Sequence, residues 1–310
     1  MPRIAILDLG TNTFNLLIAE KDEQGKPVFI FSNELPVEIG KGGIHKKEIT
    51  PEAIRRAVKA LHTHRQKMSA YDIDEYYAFA TSAVRDAANG RDFIRKMRIE
   101  TGIEIKILSG DEEATWIYEG VKYASVLDNE PSLIMDIGGG STEFIIANKR
   151  EIFWKKSYPL GVSRLYEIFQ PADPLILKKE EVEKYISTVL TDLFKAAEEY
   201  KPMILIGSSG SFDSFAEMII YRISSADKAV NGYEYPLGEF QKLYNDLIIS
   251  TVEERLLMPG LIQMRAPMFA YSAVLTDITL QSLGIKKMSL SRYAMKEGIA
   301  GHLLGRNPAT

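Results

Sequence analysis

The segment Asp8 to Ala19, DLGTNTFNLLIA, lies on Asp136 to Ala147, DIGGGSTEFIIA, without a gap. Asp8 falls on Asp136, Gly10 on Gly138, Thr13 on Ser141, Leu16-Leu17-Ile18 on Phe144-Ile145-Ile146 and Ala19 on Ala147. Each copy reads as a buried strand that delivers a carboxylate to its end, a glycine-containing turn, and a second strand leading away. A chain that carries one strand-turn-strand unit twice is constrained to two similar α/β halves. Each half would present an acidic, hydroxyl-rich turn, and both turns are expected to face a shared cleft.

The two turns differ in chemistry. In the second, Gly138, Gly139 and Gly140 expose backbone N–H donors, Ser141 and Thr142 add hydroxyls, and Asp136 and Glu143 are placed to hold a divalent cation against a bound phosphate. The same residues also suit an ordinary structural hairpin. Where the second copy has Gly139, Gly140 and Glu143, the first has Thr11, Asn12 and Asn15, so the two turns are expected to do different jobs.

Two halves agree with the length, since 310 residues exceed a typical single domain and suffice for two cores. The polar turn Asp128-Asn129-Glu130-Pro131 marks the junction, giving domains over residues 1–127 and 128–310, with the last helix able to pack back on the first. There is no cysteine, which excludes disulfide staples and thiolate chemistry and suits a reducing compartment. The start, MPRIAILDLG, has too short an apolar run for a secretory signal, and nothing later reaches the roughly 20 apolar residues of a membrane helix. The expectation is therefore a cytoplasmic protein with no membrane partner. A formal net charge of −4 argues against broad nucleic-acid binding, while leaving room for a local basic lining around a small polyanion.

Periodicity places strands at 3–8, 13–20 and 28–33, then a loop read as flexible from Gly40, Gly42, Gly43 and its lysines. Thr50-Pro51 opens a helix to about Ala70 as N-cap and first-turn proline. A strand at 76–80 runs into Thr81-Ser82-Ala83-Val84-Arg85-Asp86; a helix at 91–100 and a strand at 103–108 lead to a helix ending near Ala124. The second half continues with a strand at 152–158, helices at 162–169 and 179–200, and a strand at 203–206. Helices at 237–257 and 265–283, a strand at 287–290 and a helix at 294–304 close the chain. After the 203–206 strand, Gly207-Ser208-Ser209-Gly210-Ser211 opens a helix to about Tyr221, so Ser208, Ser209, Gly210 and Ser211 suit an anion site or, equally, an ordinary N-cap.

Two adjacent glutamates separate by spacing. Ser109 with Glu112 three residues on forms a capping-box pattern, which accounts for Glu112. Glu113 lies in line with Trp116, Ile117, Gly120, Val121 and Ala124, the apolar face of the same helix. A carboxylate at the end of a buried stripe is a satisfied core acid or a group placed for chemistry.

The segments LDLGTNTFNLLIAE, ATSAVRDAANG, SGDEEATWIYEGV, MDIGGGSTEFIIA, PLGVSRL and GSSGS, in this order and spacing, resemble the exopolyphosphatase and guanosine pentaphosphate phosphohydrolase family over nearly the whole chain. The resemblance implies two similar actin-like, ribonuclease H-like α/β domains in the short two-domain form, with an interdomain cleft. It implies hydrolysis of a terminal phosphoanhydride, on polyphosphate or on guanosine penta- or tetraphosphate, with Mg²⁺ or Mn²⁺. Glu113 then matches the catalytic base, Asp136 and Glu143 match the acids that hold metal or orient water, and Gly138, Gly139, Gly140 and Ser141 match the phosphate donors. Asp8, Thr11, Asn12 and Thr13 match the first phosphate turn. Arg85 matches an arginine that neutralises phosphate charge, the alternative being a surface pair with Asp86 or Asp92.

Departures from the family pattern at Asn15, Thr115, Pro267, Arg292, Ala294 and Lys296 bear on substrate choice more than on reaction type. Further phosphates of a long substrate would need basic loop residues such as Lys41, Lys46 and Arg164, and a homodimer is one arrangement open to the chain. Two other functions remain open at this point. One is a kinase of the same superfold, which needs a nucleotide pocket and an aspartate base; the other is a non-catalytic sensor of polyphosphate or the nucleotide. The acid set Glu113, Asp136 and Glu143 favours catalysis, because a pure binder of polyanions gains nothing from carboxylates near phosphate.

Overall fold

The computed structural model describes residues 2–169, 177–223 and 228–305. It contains two units, Met1–Tyr123 with Met295–Thr310, and Ala124–Ala294. In the first, β1 (Arg3–Leu9), β2 (Thr13–Lys21) and β3 (Pro27–Pro36) form an antiparallel meander, followed by α1 (Pro51–Ala70), β4 (Glu75–Ala80), α2 (Ser82–Arg85), α3 (Gly90–Thr101), β5 (Ile105–Ile107) and α4 (Gly110–Tyr123). In the second, β6 (Ser132–Ile137), β7 (Thr142–Ala147) and β8 (Ile152–Tyr158) form the meander, followed by α5 (Val162–Ile168), α6 (Lys179–Val189), α7 (Thr191–Tyr200), β9 (Leu205–Ser208) and α8 (Ser209–Ile223). Then come α9 (Leu237–Ile249), α10 (Val252–Leu256), a 3₁₀ turn at Gln263–Arg265, α11 (Phe269–Leu283) and β10 (Met288–Leu290). The last helix, α12 (Met295–Gly305), belongs to the first unit.

The sheets have one topology. Their orders are β3-β2-β1-β4-β5 and β8-β7-β6-β9-β10, with the last two strands of each parallel to the central one. Asp8 pairs with Asn15 across the first hairpin, and Asp136 pairs with Glu143 across the second. Each meander also shifts register at the same repeat position, between Ile18 and Ala19 in one and between Ile146 and Ala147 in the other. The gapless alignment therefore reflects hairpins of equal length, pairing and irregularity, and both units are α/β.

Local chemistry explains where elements start and stop. Thr50 caps α1 by accepting from the Ala53 N–H at 3.2 Å, with Pro51 in the first turn. The helix expected over 237–257 breaks at Ser250, because Thr251 and Glu254 form a capping box that starts α10. The helix expected over 179–200 divides at Leu190 into α6 and α7. Every residue of α11 from Phe269 to Thr276 is buried, so this helix runs through the core of its unit rather than along its surface.

The loop after β3, read as flexible, is instead packed onto the first hairpin turn. Val37 and Glu38 each donate an N–H to the Asn12 carbonyl at 2.8 Å, and Ile39 and Ile44 are buried. A Cβ on Gly40 would lie 2.7 Å from Thr11 Cγ2, so glycine there permits close approach. Among the described residues, no helix is long and apolar enough to cross a membrane.

Candidate active site

In the second unit, sheet register assembles a row of polar side chains. Asp136 on β6 has Glu143 on β7 as one neighbour and Ser208 on β9 as the other, and Glu143 in turn pairs with Ser157 on β8. Cross-strand partners point to the same face, so Ser208, Asp136, Glu143 and Ser157 line up across four strands. Ser208 Oγ donates to Asp136 Oδ2 at 2.7 Å. Ser157 Oγ and Ser141 Oγ both donate to Glu143 Oε1, at 2.6 and 2.7 Å. Asp136 and Glu143 are buried, at 8% and 1% exposure.

Two carboxylates side by side in a buried row repel each other; hydroxyl donors soften that repulsion without removing charge, whereas a divalent cation removes it. The donors are hard oxygens, which suit Mg²⁺ or Mn²⁺. Among the described residues, no group of three or more His, Asp or Glu is placed to enclose a metal. That pattern fits Mg²⁺, which takes one or two carboxylates and completes its shell with water and phosphate oxygens.

The glycine turn between β6 and β7 is held from behind by α5. The carbonyl of Gly138 accepts from Val162 N at 3.0 Å, that of Gly139 from Ser163 N and Arg164 N at 2.9 and 3.2 Å, and that of Gly140 from Arg164 Nε at 3.0 Å. In a trans peptide the N–H points opposite to the carbonyl. The N–H groups of Gly139, Gly140 and Ser141 are therefore aimed away from α5, as an anion-binding turn requires. Gly161 is indispensable to this arrangement, because a Cβ there would sit 2.3 Å from the Gly139 carbonyl carbon. Arg164, expected on a loop as part of a basic track, is instead a buried helical residue that holds the turn. Lys41 pairs with Glu38 at 3.1 Å, and Lys46 is exposed.

The serine-rich stretch after β9 divides in role. Ser208 joins the acid row, whereas Ser209 adopts φ +69° and donates to the Ile137 carbonyl at 3.2 Å. The Gly210 carbonyl accepts from Arg265, and Ser211 Oγ lies 3.0 Å from Ser272 Oγ. The last three side-chain or carbonyl groups are thus engaged by the fold.

In the first unit, Gly10 N–H donates to Thr13 O at 3.0 Å, the same bond at the same length as Gly138 to Ser141 in the second. Thr11 is buried, with its hydroxyl 3.3 Å from Ser82 Oγ, and the Asn12 carbonyl is taken by the packed loop. Thr13 and Asp8 each lie 3.4 Å from the Asn15 amide nitrogen.

Glu112 and Glu113 part as their spacing predicts. Ser109 Oγ accepts from Glu112 N at 3.2 Å while Glu112 Oε2 accepts from Ser109 N at 2.8 Å, completing the reciprocal cap. Glu113 is buried at the start of the α4 face formed by Ile117, Gly120 and Val121. Its Oε2 accepts from Arg85 Nη1 at 2.7 Å, and Arg85 also donates to the Leu108 carbonyl at 3.2 Å. Arg85 does approach Asp86, at 3.6 Å, while Asp92 pairs with Arg95 instead. The arginine is thus a half-buried partner that orients Glu113. Sequence reasoning passed over Ser157, the structural use of Arg164 and the Arg85–Glu113 pair.

The two α/β units share one strand order, and each has a turn at the end of an acid-bearing strand. The chain matches the model of the Ppx/GppA phosphatase family over residues 17–307 and belongs to that family. It is similar to "Exopolyphosphatase 1" of Mycobacterium leprae, 25% identical over 308 residues that cover 96% of this chain and 88% of that protein. It is 35% identical over 216 residues to the "Bifunctional 3-dehydroquinate synthase/phosphatase" of Fusobacterium nucleatum, covering 67% of this chain and 32% of that protein. Among solved structures, an exopolyphosphatase from Cytophaga hutchinsonii superposes with a TM-score of 0.93 at 36% identity, covering 98% of both chains. The Aquifex aeolicus member of the Ppx/GppA family shares the fold, with a TM-score of 0.79 at 22% identity and 99% coverage of both.

Proposed function

We propose that this phosphatase releases the terminal phosphate of inorganic polyphosphate with the help of Mg²⁺ or Mn²⁺. The observation that carries the reading is the buried Asp136–Glu143 pair beside a turn whose N–H groups are aimed by pinned carbonyls. Similarity to an exopolyphosphatase over 98% of the chain supports polyphosphate as the substrate.

Asp136 and Glu143 would hold the cation, which when bound neutralises charge on the phosphoryl oxygens. The N–H groups of Gly139, Gly140 and Ser141 would bind phosphate in the second unit, and the first turn, with Asp8, Thr11, Asn12 and Thr13, would bind phosphate in the first. Glu113 orients the attacking water and takes its proton, while Arg85 keeps the carboxylate in place and adds positive charge beside the reacting group. The water's oxygen forms the new P–O bond as the bridging oxygen leaves with the shortened chain.

Guanosine pentaphosphate ends in the same kind of anhydride and is the natural competitor. Ion chromatography of products after incubation with Mg²⁺ and long-chain polyphosphate, guanosine pentaphosphate, or nucleoside triphosphate plus sugars separates the readings. The expected product is orthophosphate released one unit at a time from polyphosphate. Inert polyphosphate alongside cleaved guanosine pentaphosphate, or a phosphorylated sugar, would overturn this assignment.

A further inference from the structure

The acids of the second unit are bracketed by hydroxyls, and those of the first are not. In the row Ser208–Asp136–Glu143–Ser157 the two carboxylates take the inner positions and serines take both outer ones. Each serine donates inward to the acid beside it, Ser208 Oγ to Asp136 Oδ2 at 2.7 Å and Ser157 Oγ to Glu143 Oε1 at 2.6 Å. The corresponding row of the first unit is Phe79–Asp8–Asn15–Glu34. Its inner positions hold one carboxylate and one amide, and its outer ones hold a phenyl ring and an acid. A hydroxyl on β8 thus accompanies a carboxylate on β7, where the first unit has Glu34 and Asn15.

Glu143 has a second donor to the same oxygen, because Ser141 Oγ also reaches Oε1, at 2.7 Å. A carboxylate oxygen offers two lone pairs, so two donors use the acceptor capacity of Oε1. They come from different elements, Ser141 from the turn and Ser157 from the adjacent strand. Together they restrain the terminal torsion of a side chain whose carboxylate otherwise rotates broadly. We propose that Ser157 is a positioning residue for the divalent cation, fixing Oε1 from β8 so that Glu143 offers the ion Oε2 in one orientation. Mg²⁺ demands near-ideal octahedral geometry, which a fixed ligand meets at less cost than a rotating one. A hydroxyl suits this task better than an ammonium. A lysine at the same place would also orient Glu143, but it would neutralise the charge that draws the ion.

The inference rests on the reading that Asp136 and Glu143 hold the cation, and metal binding without substrate tests the two separately. The probe is Mn²⁺ alone, titrated into the full chain and followed by the electron paramagnetic resonance signal of the free ion, with melting temperature measured alongside. Threonine and valine share a β-branched shape suited to a strand and differ by the hydroxyl, so the two variants isolate it. Ser157→Val is expected to weaken Mn²⁺ binding by roughly tenfold, and Ser157→Thr to stay within about threefold of wild type. In a Glu143→Gln background, itself weaker than wild type, Ser157→Val is expected to make no further difference, since the hydroxyl acts through the carboxylate. A merely structural serine would lower the melting temperature of Ser157→Val and leave its affinity unchanged. Wild-type affinity in Ser157→Val, or the same loss with and without the Glu143 carboxylate, overturns the proposal and leaves the metal reading intact. No Mn²⁺ binding by wild type, or wild-type binding by Glu143→Gln, removes the metal reading and the proposal with it. Should Ser157→Val not fold, Ser157→Ala carries the same comparisons.

Discussion

Glu112 and Glu113 are neighbours in the chain and sit in different environments. Glu112 is partly exposed, and its carboxylate is drawn down to a pKa of about 2 by the Lys106 ammonium first and by the Ser109 N–H next. A depressed carboxylate contributes stability above its unfolded value and loses it as pH falls through the folded one. For Glu112 that window runs from about 4.5 down to about 2. Solvent screening keeps the contribution small, so Glu112→Gln is expected to cost at most about 1 kcal/mol, read as a shift in the denaturation midpoint at neutral pH. His64 behaves with the opposite charge type. It is fully buried, donates Nε2–H to the Phe14 carbonyl at 3.0 Å and leaves Nδ1 without a hydrogen bond. Burial pushes its pKa below 6.5, so the folded state keeps it neutral and stability declines as pH drops below that value. His64→Gln retains a donor for Phe14 and should flatten the fall in melting temperature between pH 7 and pH 5; an unchanged slope would remove His64 as its source.

At the scale of elements, the second turn depends on α5 more than on its own glycines. Three carbonyls in succession are tied to the first turn of that helix, and Gly161 lets the two backbones touch. Gly161→Ala is expected to displace the turn, raising KM for polyphosphate by roughly tenfold while the unit stays folded; a wild-type KM would mean that the N–H groups of Gly139 and Gly140 do not meet substrate. The hairpins were legible because strand alternation, a turn glycine and a terminal carboxylate are local patterns, and a gapless repeat records them twice. The Glu112–Glu113 distinction was legible for the same reason, as helix spacing is local. Ser157 was not, because its contact with Glu143 depends on the register between β7 and β8. Arg164 misled because a charged residue beside glycines reads as surface, whereas it is buried and its guanidinium Nε donates to the Gly140 carbonyl. The two helix breaks at Leu190 and Ser250 fell within runs whose apolar pattern continues across them.

For the whole molecule, duplication supplied two equal scaffolds, and a few substitutions assigned them different chemistry. Glu143 stands in the second unit where the first has Asn15, and the Glu113–Arg85 pair occurs in the first. Activity is accordingly expected to vanish on exhaustive chelation and return with Mg²⁺ or Mn²⁺, and full activity in chelator would remove Asp136 and Glu143 as metal ligands. The most direct measurement sets Glu113→Gln beside Glu112→Gln and follows turnover on polyphosphate, melting temperature and affinity together. Glu113→Gln keeps the shape of the side chain but cannot take a proton, so turnover should fall by roughly 10² to 10⁴ with the protein folded and substrate still bound, while Glu112→Gln keeps its rate. Near wild-type turnover in Glu113→Gln, or a dead Glu112→Gln, would contradict the assignment of the base and the mechanism built on it.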